Sequence, residues 1–349
     1  MMNAHWKKYT LNFKNPAGTS RGVLKTKDSY FLFLEDSGKQ GIGECGLLRG
    51  LSVDDRPNYE EKLDELCLNL SDDSTKNWSD SLTEWPSIQA GLEMALLDLK
   101  SEDHILFPSD FTDGYERQSI NGLIWMGDLD FMKSQIRSKI EAGFLVLKMK
   151  IGAIGLEQEL QLLREIRKEY SPAELQLRVD ANGAFTAKEA LGLLDELHKL
   201  GIHSIEQPIK AGNIKDMAYL CQNCAMPIAL DEELIGVFKE EEKMQLLDDI
   251  KPRFIILKPS FLGGLRASEK WIDYAENRGI GWWVTSALES NLGLSAIAQW
   301  NYNLYGHLAS GLGTGGLYTN NFISPLETVR GTIQYNPEGT WDLQGFDKS

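Results

Sequence analysis

The chain has 349 residues, 42% of them hydrophobic and 25% charged, which is enough apolar material for a buried core and long enough for a barrel plus a smaller partner. A formal net charge of -15 and a pI near 4.9 argue against nucleic acid or an anionic membrane as the main partner. Apolar runs such as 254–257 are far too short to cross a bilayer, and the segment from Met1 to Phe13 has no signal-peptide pattern. Four cysteines (Cys45, Cys67, Cys221 and Cys224) are too few for a disulfide framework, so a cytoplasmic location is expected. Cys221 and Cys224 form a C-x-x-C, but no second pair completes a zinc site, and they read as two ordinary thiols.

The first 115 residues predict an α+β unit. Residues 30–35, the turn Asp36-Ser37-Gly38 and the run 41–44 predict an antiparallel hairpin, followed by helices over 59–70 and 85–100. From residue 119 onward, eight apolar runs alternate with helix-length segments: 119–126, 144–151, 175–180, 202–209, 227–231, 254–258, 280–286 and 304–309. That alternation predicts a (β/α) barrel, although an open doubly wound sheet would also alternate. One helix is legible in detail. Thr186 and Glu189 form a capping box, Leu191, Leu194, Leu197 and Leu200 form a stripe, and Gly201 ends it. The tail over 331–343 predicts a further hairpin that rejoins the first unit.

Charged residues recur at the ends of consecutive strand candidates: Lys148 and Lys150, then Asp180, Glu206, Asp231 and Lys258. Each interval is about one strand-helix unit, so every charge falls at the C-terminal mouth of its strand, where barrel active sites are built. A single lysine at a strand end, or a single loop acid, is ordinary surface chemistry. Five successive units repeating it is not. Three carboxylates on adjacent strands make an all-oxygen site suited to a hard cation, and the absence of cysteine and histidine there disfavours zinc. Lysines on the second and sixth strands would face each other across the barrel.

Lys148-x-Lys150, Asp180-x-Asn182, Glu206-Gln207-Pro208, Asp231-Glu232 and Lys258 resemble, in order, the motifs of the muconate lactonising branch of the enolase superfamily. The resemblance covers nearly the whole chain, including Gly41-x-Gly43-Glu44. It implies a modified TIM-type (β/α)7β barrel (116–319) with an α+β capping domain (1–115, joined by 320–349). It also implies Mg²⁺, replaceable by Mn²⁺, on Asp180, Glu206 and Asp231, with Asn182 and Glu232 behind them. Within the branch, residues 16–22, 43–46, 286–290 and 311–315 are similar to the o-succinylbenzoate synthase family, especially its Bacteroidetes-type sequences.

That likeness implies dehydration of 2-succinyl-6-hydroxy-2,4-cyclohexadiene-1-carboxylate in menaquinone biosynthesis, through an enediolate. Lys150 would be the base, Lys258 the stabiliser on the opposite face, and Lys148 the group that orients the carboxylate. Arg21, on a candidate lid over residues 16–22, and Ser286, Glu289, Gly311, Gly313 and Thr314 are the expected substrate contacts. The expected partner is a small carboxylate. The alternatives are an N-acylamino acid racemase, a dipeptide epimerase, and, more remotely, a barrel that only binds an anion. The stretch 311–315 carries no acid to hold a dipeptide's ammonium, which counts against the epimerase.

Overall fold

The computed structural model describes residues 2–19, 22–70, 81–152 and 155–348. Strands β1 (Asn3–Thr19) and β2 (Gly22–Asp36) form a long antiparallel hairpin, and β3 (Lys39–Cys45) returns beside β2. Ser37 and Gly38 both take positive φ at the second turn, the two-residue connection that matches strand twist. Residues 30–34 read Tyr-Phe-Leu-Phe-Leu because both faces of β2 are covered. Tyr30, Leu32 and Leu34 pack on helices α1 (Tyr59–Leu70) and α2 (Pro86–Asp98), while Phe31 and Phe33 pack on Phe322 and Phe346 of the tail. The sheet lies directly on α2. A Cβ at Gly43 would stand 1.9 Å from the carbonyl oxygen of Gly91, so only glycine allows this approach.

The predicted run over 119–126 is two elements. β4 (Gln118–Ser119) pairs with the C-terminal hairpin, and β5 (Gly122–Ile124) begins a parallel sheet in the order β5-β6-β7-β8-β9-β10-β11. Its members are β6 (Val146–Lys150), β7 (Gln176–Asp180), β8 (Ser204–Glu206), β9 (Ile228–Leu230), β10 (Phe254–Leu257) and β11 (Gly281–Val284). The intervening helices are α3 (Leu129–Glu141), α4 (Leu156–Glu169), α5 (Ala187–Lys199), α6 (Ile214–Asn223), α7 (Glu240–Ile250), and the pair α8 (Pro259–Leu262) and α9 (Leu265–Glu276). Helix α10 (Asn291–Asn303) follows β11. The capping box of α5 is present with both hydrogen bonds, Gly201 takes φ 63°, and Leu193, Leu194 and Leu197 are buried. Leu191 and Leu200 only flank that stripe.

The eighth strand is not the expected 304–309. The sheet closes through two parallel bridges, Ile120 with Ser310 and Thr285 with Gly311, just beyond that run. Tyr305, within it, takes the left-handed φ of 53°, which a strand cannot accommodate. The closed unit is therefore a (β/α)7β barrel with a two-residue last strand. Below its mouth, Trp283, Ile256 and Ala229 fill the interior with Phe254. The Arg178 guanidinium lies 4.3 Å from the Trp283 ring centre and donates to Ala309 O at 2.8 Å, tying β7 to the closing segment.

The tail hairpin also differs from expectation. β13 (Thr332–Tyr335) pairs with the preceding β12 (Leu326–Val329) and with β4, while residues 340–343 contribute one bridge, Ile323 with Asp342. The tail does return to the cap, but it does so through Phe346 on the face of Phe31 and Phe33.

Candidate active site

Strand register brings the predicted charges together. Lys150 lies beside Asp180, and Asp180 beside Glu206, on β6, β7 and β8. Asp231 and Lys258 each follow immediately on their strands, β9 and β10. Alternation points Lys148 and Lys150 to one side of β6. Lys148 Nζ stands 2.8 Å from Asp180 Oδ2 and 2.5 Å from Glu206 Oε2. Lys150 Nζ is 2.6 Å from Asp180 Oδ2 and donates to Asn182 Oδ1 at 2.7 Å. Lys258 Nζ pairs with Asp231 Oδ2.

Loop residues hold these groups in turn. Asn182 takes φ 45° and donates through Nδ2 to Glu232 Oε1 at 2.9 Å, so Lys150, Asn182 and Glu232 form one chain of contacts. Gln207, also left-handed at φ 41°, accepts from the amides of Asp231 and Glu233 and donates to Glu233 Oε2 at 2.9 Å. Gln207 and Glu233 thus brace the two acid-bearing loops against each other. Their roles were not read from the sequence, although both stand beside residues that were.

The electrostatics follow from this crowding. Burial alone would raise the Asp180 carboxyl, but the Lys148 and Lys150 ammonium groups hold it well below the usual range. Burial, and then the charge of Asp180, push the Glu206 carboxyl well up. Burial opposes the charged forms of Lys148 and Lys258, yet the surrounding carboxylates raise both. Among the described residues no three acids stand in ready-made metal geometry, and lysine ammonium groups pair with all three carboxylates. Glu206 Oε1 is nevertheless buried with no hydrogen-bond partner among the described residues. Three carboxylates, of which Glu206 has both an unused oxygen and a charge disfavoured by burial and by Asp180, fit a hard divalent cation.

Above this row opens a cavity of about 390 Å³ lined by Lys148, Lys150, Lys258 and Asn182. Ser286, Gly311, Gly313 and Thr314 form part of its wall, and Ser286 Oγ meets Thr314 Oγ1 at 2.7 Å. Gly311 is required here, since a Cβ would fall 1.9 Å from Thr285 Oγ1. Glu289 does not line the cavity. It is fully buried away from the cavity, where it accepts from Ser260 Oγ and the Ala287 amide at 2.6 Å each. Arg21 lies outside the described residues. The strands flanking it pair up to Thr19 and Gly22, and Gly22, Val23 and Leu24 line the cavity.

Two further parts of the lining were not read from the sequence: the loop 48–51, which supplies Arg49, and Leu123 of β5 with its flanking residues Asn121 and Trp125. Period-two spacing could have found the β5 residues. Nothing in the sequence marks the loop. Cys221 and Cys224 are free thiols remote from this cavity, and burial pushes the Cys221 thiol up to about 12, as suits an inert residue.

Residues 132–337 match the enolase C-terminal domain-like family. The o-succinylbenzoate synthase of Desulfotalea psychrophila is 44% identical over 95% of this chain and 98% of its own. The crystal structure of MenC from Desulfotalea psychrophila superposes with a TM-score of 0.84 at 40% identity, covering 95% of this chain and 99% of that one. The L-Ala-D/L-Glu epimerase of Bacillus subtilis shares the fold alone, with a TM-score of 0.83 at 21% identity over 98% of this chain and 97% of that one. With the family match spanning more than half of the chain and the synthase likeness nearly all of it, this chain belongs to the enolase superfamily, in the family of the o-succinylbenzoate synthases.

Proposed function

We propose that this chain is an o-succinylbenzoate synthase, a carbon-oxygen lyase that dehydrates 2-succinyl-6-hydroxy-2,4-cyclohexadiene-1-carboxylate in menaquinone biosynthesis. In this reading residues 116–319 form the catalytic barrel, and 1–115 with 320–349 form its cap. The observation that carries the reading is the pairing of Lys150 and Lys258, on β6 and just after β10, in one cavity above the row of Asp180, Glu206 and Asp231. Lys150 removes the proton α to the ring carboxylate and then, protonated, donates to the departing hydroxide. Asn182 and Asp180 hold its Nζ in place. Lys258, kept cationic by Asp231, stabilises negative charge on the other face of the ring. Lys148 orients the carboxylate.

A Mg²⁺ on Asp180, Glu206 and Asp231 supplies, when bound, Lewis-acid charge to the substrate carboxylate. Asn182 and Glu232 support that site from behind. The substrate's succinyl tail faces the wall formed by Ser286, Gly311, Gly313 and Thr314, with Arg21 on the cap loop as a further contact. The absence of an acid over 311–316 argues against a dipeptide substrate, whose ammonium needs a counter-charge. The deciding experiment incubates purified protein and Mg²⁺ with the cyclohexadiene and follows the aromatic product by absorbance. No product, alongside turnover of N-acylamino acids, would replace this reading with a racemase.

A further inference from the structure

Beyond the reacting groups, the junction between cap and barrel holds an ion cluster sealed from water. Glu44, on β3, is 0% exposed, as is Glu289, and Lys27 on β2 is 4% exposed. The Glu44 carboxylate accepts from Ser29 Oγ at 2.7 Å within the cap. From the barrel it accepts the Ser290 amide at 2.9 Å, Ser290 Oγ at 2.5 Å and the Gly293 amide at 3.2 Å, all at the start of α10. Lys27 Nζ lies 3.7 Å from Glu44 Oε1 and donates to Ser29 Oγ at 2.7 Å. Burial raises the Glu289 carboxyl, and the Lys27 charge opposes that rise. Two glycines admit the carboxylates. A Cβ at Gly293 would meet Glu44 Oε2 at 2.7 Å, and one at Gly46 would meet Glu289 Oε1 at 2.9 Å.

Glu44 holds the 286–290 loop at Ser290, and Glu289 holds it from within through the Ala287 amide and Ser260; the loop supplies Ser286, Ala287 and Leu288 to the cavity wall. Leu288 takes φ 64°, a conformation a leucine adopts only when its surroundings impose it. Tyr318 Oη fixes its carbonyl at 2.7 Å. We propose that Glu44 is a positioning residue. Through Ser290, and with Lys27 and Glu289, it locks the 286–290 loop to the cap, so that docking of the cap shapes the wall that receives the substrate's tail. The kinetic arm of this inference rests on the proposed dehydration. The structural arm does not.

The test uses the full-length, Mg²⁺-loaded protein with Glu44→Gln, Glu44→Asp and Ser290→Ala. Gln turns a donor toward the Ser290 amide and removes the charge facing Lys27. Amide hydrogen exchange over 284–293 is expected to speed up about tenfold in Glu44→Gln while β6 to β10 stay protected. KM for the cyclohexadiene is expected to rise about tenfold with kcat within about threefold, and Glu44→Asp to recover part of both effects. Wild-type exchange in the loop overturns the proposal, as does an equal acceleration throughout the chain, or a loss in kcat at constant KM. If Glu44→Gln fails to fold, Ser290→Ala carries the same test, and unchanged loop exchange there overturns it equally. A wild-type protein without dehydratase activity would sink the proposed reaction yet leave the exchange result decisive.

Discussion

The two lysines of the cavity are expected to fail differently when removed. Lys258 is buried, paired with Asp231 and held cationic by its carboxylate neighbours. A unit charge about 4 Å from developing negative charge, at an effective dielectric of about 20, is worth about 4 kcal/mol. Part of that is already spent on Asp231, so Lys258→Ala should lower kcat by about 10²–10³. Lys150 is assigned both proton events, so Lys150→Ala should reduce product formation to background. Its loss does not orphan Asp180, because Lys148 remains 2.8 Å from the same oxygen, and the variant should fold and load metal. The assay is the absorbance of the aromatic product, with metal content and circular dichroism measured on the same samples. A second readout separates dehydration from racemisation. In Lys258→Ala, solvent deuterium exchange at the α carbon of an N-acylamino acid should be confined to one enantiomer. A folded, metal-loaded Lys150→Ala enzyme working near the wild-type rate would refute the single-base mechanism.

Chelation should abolish turnover and Mg²⁺ or Mn²⁺ restore it, since the proposed donor set is three carboxylates. Full activity in excess chelator, with no metal bound, would rule out the metal's role. Gly43→Ala forces a Cβ against the backbone of α2, 1.9 Å from Gly91 O, and should destabilise the protein by about 3 kcal/mol in urea unfolding. A loss under about 0.5 kcal/mol would contradict the packing described. Burial raises the Asp54 carboxyl to about 6, against hydrogen bonds from Ser87. Between its unfolded value near 3.8 and 6 the folded state retains a proton that the unfolded chain releases, so this group's contribution to stability falls as pH rises through that window. Asp54→Asn should therefore gain up to about 3 kcal/mol over wild type at pH 7 and little at pH 4, and an equal difference at both pH values would disprove it.

How much was legible depended on whether the chain repeats itself. The charges at 148, 150, 180, 206, 231 and 258 could be read because each sits at the end of an apolar run and the runs recur at one strand-helix unit. The last strand could not, because its ladder is two bridges at Ser310 and Gly311, with no apolar run of its own. The run that imitated it, 304–309, instead supplies Leu308 to the packing of the barrel interior. β1 escaped notice because much of it is only half-buried, with lysines interleaved among its aromatics. The burial of Glu289 was illegible for a different reason. Its position after a strand is that of a pocket residue, and only the fold reveals that Lys27 and Ser260 claim it.

The charge arrangement reconciles an acidic protein with an anionic substrate. Asp180, Glu206 and Asp231 are almost wholly buried, and the cavity surface is formed instead by Lys148, Lys150 and Lys258. An approaching carboxylate therefore meets ammonium groups before it meets any acid. Three lysines balance three carboxylates, so a bound dication leaves the inner site positive even after Lys150 gives up its proton to act as a base. The net charge of -15 therefore lies outside this inner row, and surface pairs such as Arg278 with Asp248 are solvated and screened. Layering acids beneath lysines would let one barrel mouth hold a cation and attract an anion; strand register aligns Lys150, Asp180 and Glu206, and the positions just after β9 and β10 add Asp231 and Lys258.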